Sequence, residues 1–121
     1  MQILKLAINN KYTKWYIKLC NKARERCTTR KQAVELFGYT ESHHISPVSI
    51  FGKNKDTVYL SLREHFICHK LLCKMLVGVN LRKMQYALAS FIMPSGNRKL
   101  NSRQISEAMK GRVVSEETRK K

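Results

Sequence analysis

A chain of 121 residues suits one small domain with an extension. Its formal net charge of +16 and pI of about 10.1 are far from those of a neutral globular protein and point to a polyanionic partner. Its apolar runs fall short of the roughly 20 residues of a membrane span, and the opening MQILKLAINN lacks a cleavable signal architecture, so the expectation is a soluble, intracellular protein.

The charge is unevenly placed. Residues 1–31 hold nine Lys/Arg against one acid, residues 32–93 seven against four, and residues 94–121 eight against three. Basic flanks around a less charged centre fit segments that follow a phosphate backbone with a steep salt dependence. Within the first flank, Tyr12, Trp15, Tyr16, Leu19 and Ala23 recur at helical spacing while Lys11, Lys14, Lys18 and Lys22 occupy another stripe. This predicts an amphipathic helix over about 10–26 with its aromatic stripe facing inward. Thr29-Arg30-Lys31-Gln32 then reads as the cap of a shorter helix to Phe37, ended by Gly38.

The stretch 41–72, ESHHISPVSIFGKNKDTVYLSLREHFICHKLL, carries all four histidines. His43 and His44 are adjacent in an extended segment, where successive side chains point to opposite faces, so the two are suited to different tasks. A loop containing Gly52, Lys53, Asn54 and Lys55 lies between Pro47 and Asp56, and Thr57-Val58-Tyr59-Leu60 is a short β-prone run. Ser61-Leu62-Arg63-Glu64 is a capping box that opens a helix. His65 and His69 fall one turn apart on it, a spacing from which two imidazoles reach one cation, although two half-buried histidines would look the same.

Taken together, Tyr39-Thr40-Glu41, His43-His44-Ile45, Pro47, Gly52, Val58, Leu60, Arg63-Glu64-His65-Phe66, His69, Leu71 and Leu72 resemble the ββα-metal core of HNH endonucleases, specifically the phage-type homing enzymes. The resemblance implies an α+β fold, mostly α overall, with a ββα-metal (His-Me finger) core flanked by helices. It implies that His43, His65 and His69 hold one divalent ion and that His44 is the general base for hydrolysis of DNA phosphodiesters, leaving a 5′-phosphate and a 3′-hydroxyl. The family asparagine falls nine residues before His65, where this chain has Asp56, which could orient the base or join the metal. The preceding loop is about two residues shorter than the family's, so Asn54 is the alternative for that role. Three imidazoles suit Zn, Ni, Co or Mn, and an added Asp56 would move the preference toward Mg or Mn. Arg63 could contact a phosphate or remain a solvated arginine at the helix start.

Six residues separate Cys20 from Cys27 and four separate Cys68 from Cys73, neither of them the close pairing of a zinc knuckle, so all four read as reduced, mostly buried thiols. Gly78 reads as a helix stop and Asn80 as the next cap, with Leu81, Met84, Leu88 and Phe91 packing a last helix onto the core. Pro94-Ser95-Gly96-Asn97 marks a linker. Beyond it, Lys110-Gly111-Arg112 and Ser115-Glu116-Glu117-Thr118-Arg119-Lys120-Lys121 resemble part of the nuclease-associated modular DNA-binding repeat, which implies DNA contacts from Lys110, Arg112, Arg119 and Lys120. The expected organisation is a basic helical segment 1–38, a nuclease core with its packing helix 39–93, and a basic linker with a partial repeat 94–121. The partner is double-stranded DNA, met in the host cytoplasm if the protein is phage-encoded, and the protein is a monomer or a homodimer. The competing reading is an inactive DNA-binding remnant that keeps a structural metal.

Overall fold

The computed structural model describes residues 1–92. Its elements are a 3₁₀ turn Gln2–Lys5, α1 Lys11–Arg26, α2 Arg30–Phe37, β1 Glu41–His44, α3 Val48–Phe51, β2 Thr57–Leu60, α4 Leu62–Met75 and α5 Gly78–Ile92. The fold is therefore α+β and mostly helical. The linker at 94–97 and Lys110, Arg112, Arg119 and Lys120 lie outside the described residues.

Local chemistry sets most of these boundaries. Asn10 caps α1 by accepting from the Thr13 amide at 3.0 Å. Thr29 and Gln32 form a complete capping box on α2, and Ser61 and Glu64 form one on α4. Gly38 closes α2 at φ 80°, a left-handed conformation that a Cβ would strain, and its amide bonds to the Val34 carbonyl at 2.8 Å.

Two expectations at the element level are corrected. The span between Pro47 and Asp56 is not loop throughout: Pro47 at φ −56° opens a single helical turn, α3, and its carbonyl accepts from the Ile50 and Phe51 amides. Gly78 does not stop α4. That helix ends at Met75 with Leu76 extended, and Gly78 at φ 63° opens α5, which places Asn80 inside the helix.

β1 and β2 pair antiparallel, with His43 opposite Val58 and His44 opposite Thr57. The hairpin, α1 and α5 all pack on α4. One core joins Ile3, Tyr16, Cys20, Ala23, Ile45, Val58, Leu60, Cys68, Leu72, Met75 and Met84. The N-terminal segment belongs to this core, since Ile3 is buried and its amide donates to the buried Ser46 hydroxyl at 3.0 Å.

The inward face of α1 is Thr13, Tyr16, Cys20 and Ala23. Trp15, expected in that face, is 52% exposed, resting edge-on against Tyr12 with the Lys11 ammonium over its ring. The other thiols agree with expectation: all four cysteines are free, and only Cys73 is not fully buried. On α5, Met84 and Phe91 are buried and Leu81 and Leu88 half-buried, as the spacing predicts.

Candidate metal centre

Alternation along β1 puts Glu41 and His43 on the face that meets α4, with Ser42 exposed between them. His43 is 3% exposed, while His44 next to it is half-buried at the strand end. On α4 the capping box fixes the first turn, so His65 and His69 project from one face toward His43. The three rings have centroids 4.8–5.4 Å apart, and each offers a nitrogen within 4.8 Å of the others. His65 Nε2 and His69 Nε2 are 3.1 Å apart. Two ring nitrogens that close must share a proton or a cation, and nitrogens bound to one tetrahedral zinc would stand roughly 3.3–3.4 Å apart. Three ring nitrogens thus converge where one cation could be held.

Surrounding groups hold these rings. Glu41 accepts from His65 Nδ1 at 2.7 Å, and its other oxygen accepts from the Tyr39 hydroxyl. An ionised carboxylate only accepts, so the His65 proton sits on Nδ1 and the Nε2 lone pair faces His69. The Tyr16 hydroxyl, fully buried on α1, lies 2.7 Å from His43 Nε2 and donates to the Ile45 carbonyl at 2.8 Å. Burial pushes the Tyr16 phenol well above its ordinary value, helped by the neighbouring Cys20 and Cys68 thiols. Burial likewise holds the His43 imidazole well below its ordinary value, reinforced by His65, His69 and His44, so it stays neutral, as a ligand must. Phe91 packs against both α4 histidines, with centroids 5.1 Å from His65 and 5.7 Å from His69.

A cleft of about 200 Å³ opens on this group, and all four histidines line it together with Ser42 and Met84. His44 also borders a second cleft of about 450 Å³, shared with Asn54, Lys53 and Lys55. Asp56, expected beside His44, has its carboxylate 2.6 Å from Arg24 Nη2 on α1. Asn54 ties the loop instead: its amide donates to the Ser46 and Gly52 carbonyls and accepts from the Asp56 amide. Arg63 is exposed at the start of α4.

Cys20, Cys68 and His43 form a second buried group of ligand-type atoms within 4.8 Å. The Cys68 thiol is driven far upward by its hydrogen bond with Cys20 and by burial.

No protein-family profile and no solved structure matches the chain. Two proteins of Enterobacteria phage T4 do. It is 42% identical over 83 residues to the protein named probable mobile endonuclease D, a match spanning 66% of this chain and 30% of that one. It is 34% identical over 121 aligned positions to probable mobile endonuclease E, spanning 88% of this chain and 80% of the relative. The chain belongs to the phage mobile endonucleases. Among the described residues no helix is long and apolar enough to cross a membrane. Of the groups beside the histidines, neither Glu41 nor Tyr16 has a site role in the sequence reading: Glu41 enters only with the residues that carry the resemblance and Tyr16 only in the inward stripe of α1. The first could have been found from strand alternation, which sets Glu41 on the face of His43. The second could not, because Tyr16 reaches its partner across 27 residues from a helix whose pattern reads only as core.

Proposed function

We propose that this mobile endonuclease is an HNH enzyme whose ββα-metal core, residues 39–93, hydrolyses phosphodiesters of double-stranded DNA in the host cytoplasm. The observation that carries the reading is the convergence of His43, His65 and His69 in one cleft that a fourth, half-buried histidine, His44, also lines. His43, His65 and His69 would hold one divalent ion, which when bound supplies Lewis-acid polarisation of the phosphate and stabilises the departing oxygen. The donor set is nitrogen-only while Asp56 stays with Arg24, and it therefore favours Zn, Ni, Co or Mn over Mg.

His44 takes the proton of the attacking water, as a neutral imidazole can near neutral pH. Asn54, which lines a cleft with His44 and braces its loop, and Asp56, held by Arg24, remain the two candidates for the family asparagine's role of orienting His44. Phe91 keeps solvent from one side of the ligand rings. Arg63 meets a phosphate at the start of α4. The basic segment 1–38 and the linker and partial repeat 94–121, through Lys110, Arg112, Arg119 and Lys120, add backbone contacts. The product is a 5′-phosphate and a 3′-hydroxyl.

The commitment of Asp56 to Arg24 favours a second reading, a DNA-binding remnant that keeps the metal without chemistry. Relaxation of supercoiled plasmid by wild type and His44→Ala in the presence of Mn²⁺, Ni²⁺, Zn²⁺ or Mg²⁺ separates the two. Nicked or linear product from wild type, absent from His44→Ala at equal DNA affinity, is the expected result. Tight DNA binding by both with no cleavage under any ion would leave the remnant.

A further inference from the structure

We infer that Tyr16 is a positioning residue of the metal centre, fixing His43 as the Nε2–H tautomer so that Nδ1 is the nitrogen offered to the cation. The inference rests on the three-histidine site proposed above and adds to it a residue from outside the histidine-bearing segment.

Counting protons fixes the direction of both hydrogen bonds. A phenol has a single proton and a carbonyl has none. The Tyr16 hydroxyl is 2.8 Å from the Ile45 carbonyl oxygen, and Ile45 is fully buried, so the phenol proton is committed there. Sending it to His43 instead would strip that donor from a buried carbonyl, a loss of about 1–3 kcal/mol. The 2.7 Å contact between the phenol oxygen and His43 Nε2 is then a hydrogen bond in which the imidazole donates. A neutral imidazole carries one N–H, so Nδ1 holds the lone pair. The Tyr16 ring stands edge-on to the imidazole at 5.9 Å, which limits rotation of the ring away from this pose.

His65 is fixed the other way. Its Nδ1 donates to Glu41, so it presents Nε2. The chelate therefore combines an Nδ1 donor from the strand with an Nε2 donor from the helix, each chosen by an acceptor behind it, one neutral and one charged. Acceptors in this position typically change metal affinity by roughly 10- to 100-fold. Tyr16 also joins α1 to the site, so the basic N-terminal helix is mechanically part of the centre.

The test has two parts on the 121-residue chain. Long-range ¹H–¹⁵N correlation spectra of metal-free wild type, with His43 assigned by its loss in His43→Gln, read the tautomer directly. Nε2–H is expected, and Nδ1–H would overturn the inference whether or not any variant folds. Tyr16→Phe keeps the ring and removes the hydroxyl. It is expected to bind Co²⁺ roughly 10- to 100-fold more weakly than wild type and to alter the visible spectrum of the bound ion, which a purely structural role would leave unchanged. Equal affinity with an identical spectrum would overturn the inference while leaving the three-histidine site standing. A wild type that binds no divalent ion would instead refute the site, and the inference with it.

Discussion

Glu41 and His65 form a pair in which one negative charge sets both the direction of a proton and the basicity of a ring nitrogen. Glu41→Gln keeps a carbonyl acceptor and loses the charge, so we expect zinc affinity, measured by competition with a chromophoric chelator, to fall by roughly 10- to 100-fold. Tyr39, bonded to the second carboxylate oxygen, should give a smaller effect as Tyr39→Phe. At this scale the sequence is legible wherever two residues share one element. The i, i+4 spacing of His65 and His69 and the opposed faces of His43 and His44 follow from helix and strand periods alone. Contacts between elements are not written in any period. Nothing in the spacing of Asp56 announces that Arg24, on another helix, takes its carboxylate. Nor does anything mark Asn54 as the brace of the loop before its amide is seen bridging Ser46 and Gly52.

Four elements meet at Arg26. It closes α1, donates to both carboxylate oxygens of Glu64 in the capping box of α4, reaches the Tyr59 carbonyl of β2 at 3.1 Å, and lies 4.5 Å over the Phe37 ring of α2. Glu64 thus caps the helix that carries His65 and His69 and anchors it to α1 at once. Arg26→Ala should cost about 2–3 kcal/mol in chemical denaturation, the range for charge-assisted hydrogen bonds at partly buried sites. Burial pushes the Glu64 carboxyl up, but the Arg26 and Ser61 hydrogen bonds outweigh it and the net value is lowered. The folded value lies below the unfolded one, so the pair's stability is fully present above the unfolded carboxylate range, near pH 4.3, and is lost as pH falls through the folded value. Denaturation midpoints of wild type should drop over that acidic window, and Glu64→Gln should remove this component. The caps of α2 and α4 are readable because each is a local exchange between neighbours in sequence. Trp15 is misplaced by the same logic: an apolar stripe predicts a buried face, and which edge of it reaches solvent depends on how α1 lies on α4 and β2.

For the molecule as a whole, the +16 charge and the centre meet in one expectation. Lys11, Lys14, Lys18 and Lys22 line the exposed side of α1, the helix whose buried side carries Tyr16. DNA affinity should fall steeply with salt, on the order of 10³-fold between 50 and 200 mM for about six phosphate contacts. Lys14→Glu combined with Lys18→Glu should flatten that dependence in fluorescence anisotropy and leave metal uptake unchanged. Such a result would separate the two proposed functions by face of a single helix.

The most direct measurement is a titration of the metal-stripped 121-residue chain with Mn²⁺ or Zn²⁺, following bound ion and plasmid cleavage in the same samples. One ion per chain is expected, with cleavage that rises with occupancy and loss of both in His65→Ala/His69→Ala. Cleavage by the stripped protein in excess chelator, undiminished in that double variant, would contradict the metal-dependent reading.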